Sequence, residues 1–383
     1  MSQPTTLLYL ELIGEIIGGG QRSLLDIVTR LDPARYRPVV VCGAEGTLVT
    51  RLKELAVPVS VVPMPTQKYP WGGAARQAVA QLTRVMQEER VGLIHANQLR
   101  MALYGLQAGR RLDIPVVFHA RITAADARGM IARWLDWFLA RRCRAILAIS
   151  QAVAVRFPWL AGTGRLHVVH NGIDLDAFAP RADDGALRRQ WQIPPDAPLL
   201  GVIGLLEPRK GHRVLLRALP AILARHPKTR VLVVGMDAPG AQGYGEQLRR
   251  FAAEQGVASQ VTFTGFLDDV PAILKSVTVC VMPVVQPEGL GRVVIEAGAM
   301  RCPVVATPLG GLREVIEDGV TGLLVPPGDA DALALAILRV LDDPALAQRL
   351  GAAARQRMEA HFTLRGMMQR IHQIYDEIIA SKN

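Results

Sequence analysis

Two glutamates eight positions apart, Glu288 and Glu296, are the best-placed residues for chemistry in this chain of 383 residues. They lie in PVVQPEGLGRVVIEAGA, residues 283–299, separated by a glycine-rich turn and the apolar run Val293, Val294, Ile295. The pattern predicts a buried strand over 277–283, a loop over 286–289 and a helix over 290–300. Eight residues at ~1.5 Å rise would set the two carboxylates roughly 12 Å apart along that axis. The N–H groups of Leu290, Gly291 and Arg292 would face an anion at the positive end of the helix dipole, and Gly289 and Gly291 leave room beside the backbone. One acid on each side of an anion site suits a sugar–diphosphate–ribose, whose hydroxyl-rich ends flank a charged middle. The plain alternative is an acid at a helix start and a second one pairing with a neighbour.

A second anion site is suggested by GVIGLLEPRKGHRVLLRAL. A strand ends at Gly204, and Arg209, Lys210 and Gly211 are read as opening a helix. Adjacent cations there oppose the dipole unless an anion compensates them, which points to phosphate. Lys210 would serve as a point charge and Arg209 as a fork for diphosphate oxygens; two solvated cations are the alternative. Near the start, Gly18, Gly19 and Gly20 precede a helix with apolar spacing through Leu24, Leu25, Ile27 and Val28. Glycines there permit positive φ and close approach to a phosphate or sugar, although no G-x-G-x-x-G is present. VVFHARI sets His119 and Arg121 at the end of an apolar strand, where a doubly wound sheet presents ligands. Asn97 and Ser150, just past strand ends, read as helix caps.

The elements that must position these residues alternate between short apolar runs and helical patterns, which argues for βα units and parallel sheets. Strands are expected at 7–13, 38–42, 59–62, 93–95, 116–119, 145–149 and 166–169. They resume at 200–205, 231–235, 261–264, 277–282, 304–307 and 322–325. Helices fall between, for example over 73–89 and 129–141. The break near 171–195 predicts two doubly wound domains, 1–178 and 179–363, with ligands at strand C-termini facing a cleft, and an amphipathic last helix over 364–383.

Half of the chain is apolar and a fifth charged, enough for two proper cores. Cys42, Cys143, Cys280 and Cys302 are scattered without zinc spacing and fit a reducing cytoplasm. MSQPTTLLYLELIG lacks a signal-peptide pattern, and no apolar run approaches the ~20 residues of a membrane span. The expected location is cytoplasmic, with peripheral contact to the membrane's inner face as an option. The net charge of +10 is uneven: residues 1–178 hold 21 Lys/Arg against 13 Asp/Glu, the remainder 23 against 21. Such a basic half suits an anionic substrate or lipid surface. Without a helix-turn-helix signature, RNP-like aromatics or a zinc finger, a nucleic-acid partner is not expected. In 128–144, Trp134, Trp137 and Phe138 lie among five arginines. Core-facing aromatics with solvated arginines are the expectation there, and contact with anionic headgroups the alternative.

The wording PEGLGRVVIEA, with Glu288 and Glu296 as its E-x7-E pair, resembles the retaining glycosyltransferases of family 4. VVHNGIDLDAF, Lys210-Gly211, VTFTGFLDDV and PVVATPLGGLREVIEDGVTGLLVPPGD continue the likeness in order, over nearly the whole chain and most strongly from 199 to 330. The resemblance implies a GT-B fold, two Rossmann-like domains facing across a cleft, with the last helix packing back on the first. It implies transfer of a sugar from a nucleotide-diphosphate sugar, with retention, to a glycan or lipid-linked acceptor, without a metal or other cofactor. Catalysis would come from positioning and charge stabilisation of the leaving diphosphate. By resemblance Gly19 and Gly20 face the donor, as do Gly204, Arg209 and Lys210. Backbone groups at Gly265, Phe266 and Leu267 meet the base. Glu288, Gly289, Leu290, Gly291, Arg292 and Glu296 complete the donor site. His119, Lys210 and Glu288 are the catalytic candidates, and Arg121 would touch acceptor or donor. One departure stands out: Leu205 occupies the place of the family's first arginine. It favours the other class of reading, a nucleotide-sugar-binding scaffold without transfer. An epimerase of similar architecture is opposed by the intact E-x7-E wording.

Overall fold

The structure is a computed structural model that describes residues 3–65, 72–125 and 129–381. The chain divides into two compact units: Met1–Asn171 together with Arg365–Asn383, and Gly172–Leu364. The division falls at Asn171/Gly172 rather than at 178/179. Ile173 pairs with Thr363, its N–H donating to Phe362 O at 2.8 Å and its carbonyl accepting from Leu364 N at 3.0 Å. Gly172 lies so close to Leu364 that a Cβ would stand 2.5 Å from the leucine Cα. Residues 172–178 are thus tied to the second unit. The division concentrates the charge: the first unit holds 24 Lys/Arg against 13 Asp/Glu, the second 20 against 21.

The first unit is a parallel sheet of β1 (Thr5–Glu11), β2 (Tyr36–Cys42), β3 (Val59–Val61), β4 (Val91–Ala96), β5 (Val116–Ala120), β6 (Ala145–Ala148) and β7 (Leu166–Val168). Its order, β3-β2-β1-β4-β5-β6-β7, reverses direction between β1 and β4. In β1, Leu7, Leu8, Tyr9 and Leu10 are fully buried, as a strand covered on both faces requires. β1 ends at Glu11 instead of running to residue 13, because the Glu11 carboxylate accepts the Ile13 N–H at 3.1 Å and turns the chain. The last helix, Leu364–Ala380, buries Ile371, Ile374 and Tyr375; residues 382 and 383 of the expected 364–383 lie outside the described residues. The helix Met130–Arg142 differs from its expectation. Leu135 and Leu139 face inward, but Trp134 and Trp137 are exposed and Phe138 is half-buried. Arg128 lies outside the described residues.

The second unit is a parallel sheet of β8 (Leu199–Ile203), β9 (Arg230–Val234), β10 (Val261–Gly265), β11 (Val279–Met282), β12 (Val304–Ala306) and β13 (Leu323–Leu324). Its order is β10-β9-β8-β11-β12-β13, with the reversal between β8 and β11. Leu200, Val202, Val231, Val233, Val279 and Val281 pack with Leu215, Leu219 and Ile337 of the covering helices. At such a reversal the loops after the two strands separate and leave a crevice at their C-terminal ends. The candidate residues of this unit follow β8 and β11, except Gly265, Phe266 and Leu267, which lie at the end of β10.

Candidate active site

Beyond β8 the backbone is bare. Gly204 donates its N–H to Val234 O at 2.9 Å and Gly235 donates to Gly265 O at 2.8 Å. A Cβ on Gly235 would stand 1.9 Å from Gly204 O, so only glycine fits where these strand ends meet. The 3-10 turn Pro208–Lys210 follows, then Gly211 at φ +73° and the helix His212–Arg225. Arg209 and Lys210 therefore precede the helix and do not open it. Gly211 breaks the chain direction between them and the helix, and a Cβ there would lie 1.8 Å from Pro283 O.

That contact brings the loop after β11 against the cations. Val285 N–H donates to Arg209 O at 2.9 Å. Three residues on, Glu288 Oε2 lies 3.0 Å from Arg209 Nη1 and 2.6 Å from Lys210 Nζ. Burial alone would raise the Glu288 carboxyl, but Lys210 and Arg209 outweigh it and hold its pKa below the ordinary value. Arg209 Nε is also 2.8 Å from Glu207 Oε1. The pair of cations is thus built from Arg209 and Lys210, while Leu205 is half-buried nearby in sequence.

Glu288 is held by its backbone as well. Its carbonyl accepts from Gly311 N at 2.9 Å, and a Cβ on Gly310 would stand 2.1 Å from that oxygen. The helix then covers only Arg292–Ala299, with Gly291 at φ +87° as its cap. Leu290, expected within it, is a buried residue ahead of the cap. Glu288 is outside the helix, so the helical spacing of the two carboxylates does not apply. Glu296 is on the helix and buried, its Oε1 2.8 Å from Arg292 Nε. Gly289 and Gly291 are buried too; Gly265 ends β10 at φ +73°, followed by exposed Phe266 and half-buried Leu267.

The first unit carries its own polar cluster at the C-terminal ends of β1, β4 and β5. Arg121 donates from Nε to Asn97 Oδ1 at 2.8 Å, from Nη1 to Asn171 Oδ1 at 3.2 Å and from Nη2 to His119 Nδ1 at 3.2 Å. All three of its nitrogens are engaged within the cluster. Asn97 does not cap the following helix; its Nδ2 donates to Glu11 Oε2 and Gly20 O. Ser150 does cap, accepting Val153 N–H at 3.1 Å. Gly18 has φ −166° and the helix Gly19–Val28 starts directly, so none of the three glycines uses positive φ. Their contribution is space: a Cβ on Gly20 would be 3.6 Å from Arg121 Cδ.

His119 is fully buried, and its tautomer follows from its partners. Arg121 can only donate, so Nδ1 accepts. His95 Nε2, 3.1 Å from the same nitrogen, must then carry a proton, and His95 Nδ1 accepts from Tyr375 OH at 2.6 Å. Tyr375 in turn has Tyr9 OH at 3.2 Å. Burial and then Arg121 push His95 down to about 3 and His119 well below 6.5, so both are neutral. The proton of His119 resides on Nε2, which has no hydrogen-bond partner among the described residues. Glu11, His95 and Tyr375 were not singled out from sequence, and Asn171 was read only as part of a turn in VVHNGIDLDAF. Their signals were present but weak: a charge and a histidine closing apolar strands, and one tyrosine on an amphipathic helix.

The bare strand ends, the paired cations and the topological reversal are those of nucleotide-binding doubly wound domains. Comparison with known proteins narrows the class. The sequence profile of Glycosyl transferases group 1 matches residues 183–357, and that of Glycosyltransferase Family 4 matches 17–177. A GDP-mannose-dependent alpha-(1-6)-phosphatidylinositol monomannoside mannosyltransferase of Mycolicibacterium smegmatis is 38% identical over 54% of this chain and 55% of its own length. The glycogen synthase of Mycobacterium tuberculosis strain H37Rv is 31% identical over 75% of this chain and 69% of its own. The chain thus spans about half of the first relative and about two thirds of the second. The Anabaena protein Alr3699/HepE, crystallised with UDP and glucose, aligns with a TM-score of 0.86 and 26% identity, over 97% of this chain and 99% of its own. The chain belongs to the group 1 glycosyltransferases of family 4. Among the described residues, no helix is long and apolar enough to cross a membrane.

Proposed function

We propose that the protein transfers a glycosyl group from a nucleotide-diphosphate sugar to a glycan or lipid-linked acceptor, with retention, in the synthesis of a cell-surface polysaccharide or glycolipid. The convergence of Arg209 and Lys210 on the Glu288 carboxylate carries this reading. Two cations at the end of a glycine-lined strand meet the charge that grows on a leaving diphosphate, and Glu288 beside them accepts hydrogen bonds from sugar hydroxyls. Glu296 serves the ribose, and the backbone at Gly265, Phe266 and Leu267 serves the base. His119 offers its Nε2–H to the transferred group, a role that rests on the family resemblance, as do the donor contacts of Gly19 and Gly20. Arg209 beside Lys210 supplies a second cation despite Leu205, which supports transfer over a scaffold that binds without transferring.

No metal step is included. Among the described residues, no group of three or more His, Cys, Asp or Glu is gathered in a way that would hold an ion. The experiment is incubation with UDP-, GDP- and ADP-sugars, following release of free nucleoside diphosphate with an oligosaccharide or polyprenyl-phosphate acceptor, with and without excess EDTA. Acceptor-dependent release that survives EDTA is expected. Binding without release would leave the scaffold, and a complete loss restored by Mg²⁺ would overturn the metal-free reading.

A further inference from the structure

The helix Met130–Arg142 is apolar on both sides. Leu135, Leu139 and Ala140 pack inward, while Met130 is 89%, Ile131 57%, Trp134 53% and Trp137 37% exposed. Soluble surfaces seldom leave so many large apolar side chains uncovered on one helix. Met130, Trp134, Trp137 and Arg141 follow one another at helical spacing, so they share a stripe. Trp134 stacks on Phe138 with ring centres 5.6 Å apart. Arg141 lies 5.1 Å from the Trp137 ring and Arg142 5.6 Å from the Phe138 ring. The 3-10 turn Pro158–Leu160, which packs against this helix, exposes Trp159.

The charge on this face has one sign. Arg133, Arg141 and Arg142 are exposed, and none has a carboxylate partner among the described residues. The helix's single acid, Asp136, is buried with its oxygen 2.5 Å from the equally buried Arg156. Isologous pairing with a second copy would cover these arginines with the same face, which among its described residues offers no exposed carboxylate to any of them. A surface of phosphate headgroups over hydrocarbon satisfies both parts at once: tryptophan and arginine suit the headgroup level, and Met130 and Ile131 reach the acyl boundary.

We propose that this face is a docking surface for an anionic phospholipid bilayer. The helix lies in the plane of the interface, held by its aromatic and aliphatic stripe and oriented by its arginines. Docking is independent of the transfer reaction and is tested without it.

The test is co-sedimentation of the full chain with vesicles of phosphatidylglycerol and phosphatidylcholine, and with vesicles of phosphatidylcholine alone, at rising salt. Two double variants are compared, Trp134→Ser with Trp137→Ser and Arg141→Gln with Arg142→Gln, with thermal unfolding of each measured alongside so that a loss of fold is not read as a loss of docking. The wild type should bind anionic vesicles, weaken with salt, and shift its tryptophan emission to the blue on binding. Each double variant should lose about tenfold or more in vesicle affinity. The proposal is overturned if both vesicle types bind equally, if neither binds, or if the variants bind as the wild type does. It is overturned as well if the wild type is a dimer that the tryptophan variant converts to a monomer, since the face would then belong to a second copy.

Discussion

Lys210 Nζ and Glu288 Oε2 are 2.6 Å apart, and Arg209 Nη1 meets the same oxygen at 3.0 Å. One carboxylate thus holds two cations, and with Glu207 on Arg209 the four charges balance until a diphosphate competes for the cations where it is proposed to lie. Lys210→Ala should lower kcat by about 10²–10³-fold with a smaller effect on donor KM, because its partner's charge grows as the glycosidic bond breaks. Glu288→Gln should also cut transfer, yet free nucleoside diphosphate should bind more tightly once the competing carboxylate charge is gone. Steady-state kinetics and calorimetry on both variants check this. Weaker nucleotide binding in Glu288→Gln would mean that the carboxylate positions the cations and does not compete for them.

Much of this arrangement was legible in the chain. Strand alternation gave both sheets, since buried parallel strands need continuous apolar runs and admit few alternatives. Arg209 and Lys210 are neighbours in the sequence, but the expectation that they open a helix against its dipole does not hold, since both precede the helix. What periodicity missed was set by tertiary contact. Gly211 and Gly291 cap their helices at positive φ, where a Cβ would strike the Pro283 carbonyl and the Leu312 side chain, so the cations and Glu288 fall outside the helices that sequence assigned them to. Likewise, Asn97 reads as a cap in isolation; Glu11 and Arg121, 86 and 24 positions away, claim its side chain. Trp134 and Trp137 read as core because aromatic residues usually bury, and only the structure shows that the inward face was already filled by leucines.

Gly211 should be irreplaceable for a steric reason beyond its backbone angle. An alanine at φ +73° costs about 1–2 kcal/mol, and its Cβ, 1.8 Å from Pro283 O, must also push away the loop that carries Glu288. Gly256→Ala, at φ +70° with nothing within 4 Å, isolates the strain alone. Gly211→Ala should therefore lower Tm by more than Gly256→Ala and weaken nucleotide binding, which Gly256→Ala should leave intact. Equal losses in the two variants would show that the loop yields freely.

Stability should decline on acidification earlier than carboxylate titration explains. His95, held at about 3, and His119, well below 6.5, are neutral in the fold but take up protons in the unfolded chain below about 6.5. With folded values depressed, the unfolded state binds more protons, so stability is complete above 6.5 and is lost as pH falls from there toward 3. Each such histidine contributes a slope of up to about 1.4 kcal/mol per pH unit. Urea unfolding at pH 7.5, 6.5 and 5.5 should show the decline, and His95→Gln should be less stable at pH 7.5 but flatter across the series. A wild-type midpoint that does not change over this range would remove the neutral assignment and with it the donor role of His119.

Tyr375 should affect turnover although it belongs to the last helix and touches His119 only through His95. Tyr375→Phe keeps the buried ring but removes the hydroxyl that donates to His95 Nδ1. His95 is then free to adopt the other tautomer, which turns an acceptor toward His119 Nδ1 and loosens the orientation of the Nε2–H. One net hydrogen bond is worth about 0.5–1.5 kcal/mol, so kcat should fall roughly 2- to 12-fold with donor KM little changed. His119→Ala should cost more, about 10²–10³-fold, if its N–H meets charge that develops in the transition state. The combination decides the route. In a His119→Ala background, Tyr375→Phe should lower kcat no further, because the group it orients is already absent. An equal loss in both backgrounds would show that Tyr375 acts through packing of the helix and not through the histidine pair.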